Sequence, residues 1–208
     1  MAVFRLSKRQ WFVLKLLVFM LCLWPFLSIS WDAFNDSLGA DPIQRLHFVT
    51  GDWALRFLLI SLTMSPLRQV FKLPLPIRFR RMLGLFSFFY ASLHALVWLV
   101  LDQSLSLDNM LNELPESPYI ILGFIAYLML WPLALTSNII AMRALGSKWH
   151  SLHRSVYVIA VLGLVHFFWL TKLDSTEPLM YATVLAFLLM FRWPLFKKSL
   201  FSEKRETL

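Results

Sequence analysis

Cysteine is almost absent from this sequence. The one thiol, Cys22, lies within an apolar stretch near the N-terminus. A disulfide framework needs at least two cysteines, and thiolate-held zinc sites or iron–sulfur clusters need several, so a single chain of this composition forms none of them. Any redox chemistry of this protein must therefore use ligands other than sulfur.

Acidic residues are also scarce, with 12 Asp and Glu against 20 Lys and Arg and a formal net charge of +8. A basic balance of this size is typical of nucleic-acid-binding proteins, but here the basic residues do not form one patch. They occur in short segments between apolar stretches, and these segments alternate with acidic ones. Such alternation indicates membrane topology, because cytoplasmic loops collect Lys and Arg. We expect no nucleic-acid partner.

The chain has an excess of apolar side chains. Hydrophobic residues make up 59% of the 208 residues, aromatic residues make up 16%, and the mean hydropathy is +0.65. A soluble domain of this size would leave too much apolar surface in water, whereas a bilayer solvates the outside of a helical bundle. We predict one all-α, integral membrane domain that covers residues 1–208.

Six apolar stretches are candidates for transmembrane helices. The first resembles a signal peptide, but its apolar core is too long and no small-residue cleavage site follows it. The second is the least regular, because Asp52 and Arg56 lie near its start, and Pro66 is expected to end it. Pro132 is expected to kink the fourth. The predicted spans are about 11–31, 46–65, 82–101, 119–141, 152–170 and 178–193.

The distribution of charge between these spans predicts the orientation. If both termini lie in the cytoplasm, 17 of the 20 Lys and Arg fall on the inner side, and ten of the twelve Asp and Glu fall on the outer side. This is the arrangement that the positive-inside rule favours. We therefore predict six spans with both termini cytoplasmic.

Two histidines are predicted to share one depth in the membrane. His94 follows Arg81 by 13 residues, which is about 20 Å at 1.5 Å per helical residue. His166 follows Leu152 by 14 residues, which is about 21 Å on a helix that runs in the same direction. Two imidazoles at one level on separate helices are what axial ligation of a haem iron from both sides requires. The alternative is a pair of histidines that are hydrogen-bonded to neighbouring helices.

Aromatic residues surround both histidines in the sequence. Apolar, aromatic walls can hold a porphyrin and exclude water, although aromatic residues in a membrane protein commonly face lipid or the core. The residues in question are Phe86, Phe88, Phe89, Tyr90 and Trp98 near His94, and Phe167, Phe168 and Trp169 near His166.

His153 lies near the predicted cytoplasmic face, 13 residues before His166 and about 19.5 Å from it along a helix. The third span has Arg80 and Arg81 at the corresponding level, so it provides no partner histidine for a second haem. His153 can ligate a second haem with another partner, line a quinone or flavin site, or cap its helix.

The remaining two histidines have simpler interpretations. His47 precedes the second span on the outer side, where interface histidines are usually solvated. His150 lies beside Lys148 and Arg154, and we expect it on the surface.

Basic residues near the third span have three interpretations. Arg78, Arg80 and Arg81 fit positive-inside topology with contact to anionic lipid. They also fit docking of an acidic cytoplasmic electron donor, or binding of a phosphate such as that of flavin mononucleotide. Arg56, in the second span, is expected either to extend outward to the interface or to pair with a haem propionate.

Several segments, in this order and spacing, resemble one known family across nearly the whole chain. They are Asp41-Pro42, His47-Phe48-Val49-Thr50-Gly51, Ile77-Arg78-Phe79-Arg80-Arg81-Met82-Leu83-Gly84-Leu85, His94, Leu135-Thr136-Ser137, Trp149-His150-Ser151-Leu152-His153-Arg154-Ser155-Val156-Tyr157 and His166. The sequence resembles the MsrQ (YedZ) family, which belongs to the ferric-reductase-like transmembrane group.

The resemblance implies a b-type cytochrome of the bacterial inner membrane. It implies haem at His94, His153 and His166, a flavin mononucleotide (FMN), and electrons from the quinone pool or a cytoplasmic flavin reductase. The implied acceptor is a periplasmic molybdopterin enzyme, MsrP, which reduces methionine sulfoxide in oxidised proteins. His150 does not match a histidine of the family.

Two other classes of function compete with this interpretation. In a transporter or permease, the histidines and Arg56 would relay protons or bind substrate, but we find no inverted repeat and, apart from Pro132, no interrupted span. A membrane assembly protein would bind no cofactor. Both alternatives predict a protein without a visible absorption band.

Overall fold

The computed structural model describes residues 7–72, 75–171 and 176–191, and within these ranges the regular secondary structure is helical, without strands. A 3-10 turn, Pro76–Arg78, leads into the third helix, and a π-helical turn, Val97–Asp102, extends that helix. The α-helices are α1 (Lys8–Phe34), α2 (Pro42–Phe71), α3 (Arg80–Leu96), α4 (Leu107–Glu116), α5 (Pro118–Leu135), α6 (Ile139–Leu145), α7 (Ser147–Arg154), α8 (Val156–Leu170) and α9 (Thr176–Met190).

Four helical segments of the described chain are long and apolar enough to cross a membrane: Lys8–Phe34, Arg80–Asp102, Pro118–Leu135 and Ser147–Leu170. In the most apolar 18-residue stretch of each segment, only 11% to 28% of the residues are buried within the protein. Apolar helices this exposed require lipid around them. The predicted all-α, multi-pass membrane fold is therefore confirmed.

The second and sixth predicted spans coincide with α2 and α9, which do not meet the same criteria. The helix α2 is 30 residues long but carries charged residues in its interior, and α9 has 15 residues. The predicted count of six spans and the cytoplasmic position of both termini stay predictions. Residues 192–193, where the last predicted span ends, lie outside the described residues.

Pro66 does not end α2, contrary to the sequence-based prediction. It is buried inside the helix, which continues to Phe71 and ends at Lys72 in the left-handed conformation (φ 52°). Prolines are tolerated inside membrane helices because neighbouring helices and hydroxyl side chains satisfy the freed backbone groups.

The prediction of one helix over residues 119–141 is wrong, although Pro132 lies inside a helix as expected. The helix α5 ends at Leu135, where the Thr136 hydroxyl donates to the Pro132 carbonyl oxygen at 2.6 Å. The Asn138 side chain then accepts from the Ala141 amide at 2.7 Å and caps the short helix α6. Side-chain hydrogen bonds thus replace the backbone bonds that a continuous helix would have made.

Two further boundaries differ from the prediction. The fifth span begins earlier, as α7, and α7 and α8 meet at Ser155, whose hydroxyl donates to the Leu152 carbonyl oxygen at 2.7 Å. The acidic segment after the third predicted span contains a helix, α4, which the Ser106 side chain caps by accepting from the Asn109 amide.

The described core consists of two clusters that share α2. In the first, Leu58 and Leu62 of α2 pack with apolar residues of α5, α8 and α9, including Ile159 and Ala160. In the second, Phe57 of α2 packs with α1 and α3. As a result α2, α3, α5 and α8 lie side by side around one cavity.

Candidate functional site

A cavity of about 560 Å³ lies between α2, α3, α5 and α8. Small residues on all four helices leave this space, among them Ala54, Ala91, Ala126 and Gly163. One end of the cavity is lined by Asp41, Asp102 and Glu113, which we call the acidic end.

The structure brings His94 of α3 and His166 of α8 together across this cavity. Their ring centroids are 6.0 Å apart, and the ring planes are inclined at 82°. The prediction that these two side chains reach one level from separate helices agrees with this geometry.

The orientation of the His94 ring is set by α2. His94 Nδ1 lies 3.1 Å from the His47 carbonyl oxygen and 3.4 Å from Thr50 Oγ1. A carbonyl oxygen only accepts hydrogen bonds, so Nδ1 is the donor and carries the proton. The Thr50 hydroxyl already donates to the Leu46 carbonyl oxygen at 2.6 Å. The tautomer with a free lone pair on Nε2 is therefore the one that fits this site.

The orientation of the His166 ring is set by α5 in the same way. His166 Nδ1 lies 2.7 Å from the Tyr119 carbonyl oxygen, which again makes Nδ1 the donor. Its Nε2 consequently keeps a lone pair, as a metal-ligating imidazole requires. A ring nitrogen that donates to a carbonyl oxygen is the usual way in which proteins fix the orientation of a histidine ligand.

Each ring packs against a glycine one helical turn beyond the carbonyl that it contacts. A Cβ atom at Gly51 would lie 3.0 Å from both Nδ1 and Cε1 of His94, and one at Gly123 would lie 2.8 Å from His166 Nδ1. Real Cβ contacts are essentially never shorter than 3.0 Å. Glycine is therefore required at position 123 and strongly favoured at position 51 by the position of the rings.

The two helix pairs repeat one arrangement. In each pair a carbonyl oxygen binds an imidazole 47 residues further along the chain, and a glycine lies beneath the ring. The sequence shows no obvious repeat, because few other side chains correspond between the pairs. What the two pairs share is the position of the backbone carbonyl and of the glycine against the imidazole ring.

The residues present fit a haem. Metal–imidazole nitrogen bonds are about 2 Å long, so two nitrogens that bind one iron from opposite sides would be about 4 Å apart. Each ring centroid lies roughly an ångström behind its nitrogen, so the two centroids would be about 6 Å apart. The observed centroid separation of 6.0 Å agrees with this value. Both rings have Nε2 available, and the small residues beside them leave space for a flat group.

The predicted aromatic wall is only partly present. Trp98 and Phe167 line the cavity, and so does Tyr127, which the sequence analysis did not select. Tyr90 is fully buried against α1 instead, where its hydroxyl donates to the Cys22 carbonyl oxygen at 2.9 Å. Trp169 is exposed on the outside of α8. Phe86 and Phe89 pack with Tyr90, Phe88 stacks on Tyr127, and Phe168 is exposed.

The sequence had indicated that His47 is a solvated interface residue, and the structure differs. Its ring is partly buried in edge contact with His94 (centroids 5.3 Å apart), and its backbone carbonyl oxygen binds the same residue. Its Nε2 lies 3.6 Å from an Asp102 carboxylate oxygen, beyond hydrogen-bond distance.

His153 lies towards the other end of the bundle, in α7. Its ring stacks on Trp149 with centroids 3.9 Å apart, and its Nε2 lies 3.1 Å from Thr136 Oγ1. The Trp149 indole donates to the Thr136 carbonyl oxygen at 3.0 Å. These contacts anchor α7 to the end of α5. His150 is exposed, as its position in the sequence indicates.

The three basic residues before and within α3 make separate contacts. Arg78 lies over the Trp11 ring at 4.8 Å, and Arg80 donates to the Ser65 hydroxyl at 3.3 Å. Arg81 is exposed. These contacts join α3 to α1 and α2.

Arg56 neither extends freely outward nor is available to a propionate. Its guanidinium lies 2.5 Å from the Asp52 carboxylate, and its Nε donates to the Tyr181 hydroxyl at 2.8 Å. Tyr181 in turn donates to Asp52 at 2.6 Å. The three side chains form a closed polar cluster that ties α9 to α2.

Comparison with known proteins places the chain in a family. The model of the ferric reductase like transmembrane component matches residues 50–164. The protein-methionine-sulfoxide reductase heme-binding subunit MsrQ of Polaromonas naphthalenivorans (strain CJ2) is 42% identical over 198 residues, which cover 92% of this chain and 90% of that protein. The chain belongs to the MsrQ branch of the ferric-reductase-like transmembrane family.

Other MsrQ relatives are similarly close. The subunit of the same name from Xanthomonas euvesicatoria pv. vesicatoria (strain 85-10) is 47% identical over 84% of this chain and 79% of that protein. That of Bordetella pertussis (strain Tohama I) is 44% identical over 86% of this chain and 88% of that protein. No solved structure matches this chain significantly. Membership of this family, together with the apolar spans, makes the protein a multi-pass protein of the bacterial inner membrane.

The family match covers most of the site. It begins at Thr50, beside the His94 ring, and ends at residue 164, two positions before His166. Sequence reasoning had missed the carbonyl groups of His47 and Tyr119, because backbone atoms leave no trace in residue identity. Gly51 and Gly123 offered a usable signal, since glycine is otherwise unfavourable inside a helix.

Proposed function

We propose that this protein is a haem-binding electron-transfer subunit, with haem b held between Nε2 of His94 and Nε2 of His166. The observation that carries the proposal is the imidazole pair: two rings 6.0 Å apart, each with Nδ1 held by a backbone carbonyl oxygen. A haem bound there would supply reversible one-electron oxidation and reduction. The relatives are named as heme-binding subunits, which supports the same cofactor.

The residues of the cavity prepare the site for such a cofactor. The His47 and Tyr119 carbonyl oxygens hold the rings in one orientation, and Gly51 and Gly123 allow the rings to lie against α2 and α5. Apolar residues around the rings exclude water, which limits side reactions and solvent reorganisation.

The proposed electron acceptor is a periplasmic, molybdopterin-containing methionine-sulfoxide reductase. The relatives are subunits of protein-methionine-sulfoxide reductases, which supports an acceptor of this class. With both termini cytoplasmic, the acidic end of the cavity faces the periplasm. Asp102, Asp108 and Glu116 are exposed there and would mainly accelerate the encounter with a partner.

The proposed electron donor is the quinone pool or a cytoplasmic flavin reductase. His94 and His166 lie about 20 Å from the predicted inner edge of the membrane, which is long for one transfer step, so a second carrier near His153 would divide the distance. His153 can then bind a second haem or line a quinone or flavin site. For FMN the support is the family resemblance alone, since Arg78, Arg80 and Arg81 make separate contacts.

The test is a visible spectrum and a pyridine haemochrome assay of the purified full-length protein, with flavin extraction from the same sample. We expect a reducible b-type spectrum. His94→Ala and His166→Ala should each remove the haem between them while the protein still inserts in the membrane. His150→Ala, which changes an exposed histidine, is the matched control and should leave the haem in place.

Full haem retention in His94→Ala or His166→Ala would refute the ligand pair. A wild-type protein without a Soret band would refute the function, and would favour the transporter or the assembly protein.

A further inference from the structure

Two buried nitrogen atoms have no hydrogen-bond partner within the described part of the chain: Nε2 of His47 and Nε1 of Trp98. Nearly all buried polar side-chain atoms in native proteins are hydrogen-bonded, because an unpaired one loses its contact with water without replacement. Both residues line the cavity that contains His94 and His166. Two unpaired nitrogens on one cavity indicate that its occupant provides the missing partner.

Both nitrogens lie towards the acidic end of the cavity. His47 precedes Gly51 by one turn of α2, and Trp98 follows His94 by about one helical turn in the antiparallel direction. Each is therefore about 6 Å from the level of the imidazole pair, on the same side of it. The indole N–H is only a donor, so the occupant must present an acceptor at this end.

We infer that His47 Nε2 and Trp98 Nε1 donate hydrogen bonds to a carboxylate side chain of the tetrapyrrole, and so fix how the ring is turned within the cavity. The inference rests on the proposed function, because haem b is the occupant. Haem b carries two carboxylate side chains on one edge of its ring, and a carboxylate accepts several hydrogen bonds at once.

Several other polar groups are already engaged or solvated. Asp102, whose carboxylate is 3.6 Å from His47 Nε2, has a side chain that is 42% exposed. Glu113 accepts a hydrogen bond from Gln103. Arg56, further along α2, is bound to Asp52 and Tyr181. The two unpaired nitrogens are thus buried donors that the described protein leaves available to the cofactor.

The test uses the full-length holoprotein in detergent and the substitution Trp98→Phe, which removes the N–H and keeps an aromatic ring. Two quantities are measured: the rate of haem transfer to excess apomyoglobin, and the propionate bending band in the resonance Raman spectrum. We expect the transfer rate to rise about tenfold, as for one lost hydrogen bond to a charged group, and the bending band to shift.

Trp169→Phe is the matched control, because Trp169 is exposed on α8 three residues from His166, and it should change neither quantity. A faster haem loss without a shift of the band would mean that Trp98 only packs against the ring, and would overturn the inference. So would a Trp98→Phe protein in which both quantities match the wild type.

His47 is tested by a pair of substitutions that leave its carbonyl oxygen in place. His47→Phe removes the donor and should shift the band, whereas His47→Gln keeps an N–H at similar reach and should restore it. Equal bands in the two variants would exclude His47 as a donor. Failure of this inference leaves the b-type spectrum of each variant unchanged, whereas failure of the proposed function would appear as a wild-type protein without a Soret band.

Discussion

Replacing Gly123 by alanine adds one methyl group beneath the His166 ring. The new Cβ would lie 2.8 Å from Nδ1, whereas ordinary contacts begin at 3.4 Å, so the ring must move by the difference of about 0.6 Å. The same Nδ1 is held at 2.7 Å by the Tyr119 carbonyl oxygen, and a displacement of this size lengthens or breaks that bond. The substitution therefore disturbs one side of the proposed haem site directly.

The substitution is expected to weaken haem binding strongly while it stabilises the helix itself. Overpacking of a filled site costs about 1–3 kcal/mol, and each 1.4 kcal/mol is about a tenfold change in affinity. Haem affinity should fall by roughly 5- to 140-fold. By contrast, Gly→Ala inside a helix stabilises the helix by about 0.5–1 kcal/mol. A loss of haem would therefore not result from a weaker helix.

The assay is haem per polypeptide by pyridine haemochrome, together with the rate of haem transfer to apomyoglobin. Gly84→Ala is the matched control: it lies in α3 with His94, apart from the residues that line the cavity, and its Cβ would meet Ser61 Oγ at an ordinary contact distance of 3.6 Å. Gly51→Ala, at 3.0 Å from the His94 ring, should have an intermediate effect. If Gly123→Ala holds haem as tightly as Gly84→Ala, the His166 ring is not confined by α5 and the reasoning fails.

Three further predictions concern the same helices. Because the His94 and His166 planes are inclined at 82°, the two imidazoles would donate to different d orbitals of a bound haem iron and leave these orbitals nearly equal in energy. The oxidised protein should therefore give a strongly anisotropic low-spin EPR signal, and a rhombic signal typical of parallel rings would contradict this geometry. Tyr181→Phe removes hydrogen bonds to Asp52 and Arg56; it should destabilise the protein by about 1–3 kcal/mol in thermal unfolding, with unchanged haem content at low temperature. His153→Ala should keep the b-type spectrum of the His94–His166 site and slow its reduction by the proposed electron donor, and an unchanged reduction rate would leave His153 with the structural role of joining α7 to α5.

Much of the architecture is readable from sequence because hydropathy is a local property. A stretch such as residues 82–101 must cross the membrane as a helix, whatever its neighbours are, since lipid provides no partner for backbone groups. The same argument placed His94 and His166 at one depth, because the rise per residue of a helix is constant. Helix ends were less predictable: Pro66 lies within α2, whereas α5 ends three residues after Pro132.

The interior of the site depends on contacts between segments that are far apart in the chain. The carbonyl oxygens of His47 and Tyr119 bind rings 47 residues away, and Tyr181 closes a polar cluster with Asp52 of α2. Such partners are chosen by packing, and residue spacing along one helix carries no information about them. For that reason Arg56 had appeared available to a cofactor, and His47 had appeared to be a surface residue.

The sequence by itself determined an all-α membrane protein, and it predicted two histidines at one level within that protein. Only the tertiary structure decided that these rings face each other, which nitrogen of each is free, and which donors lie unpaired beside them. The physical reason is that depth in a membrane follows from helix rise along one segment, whereas the direction of a side chain follows from how several helices pack.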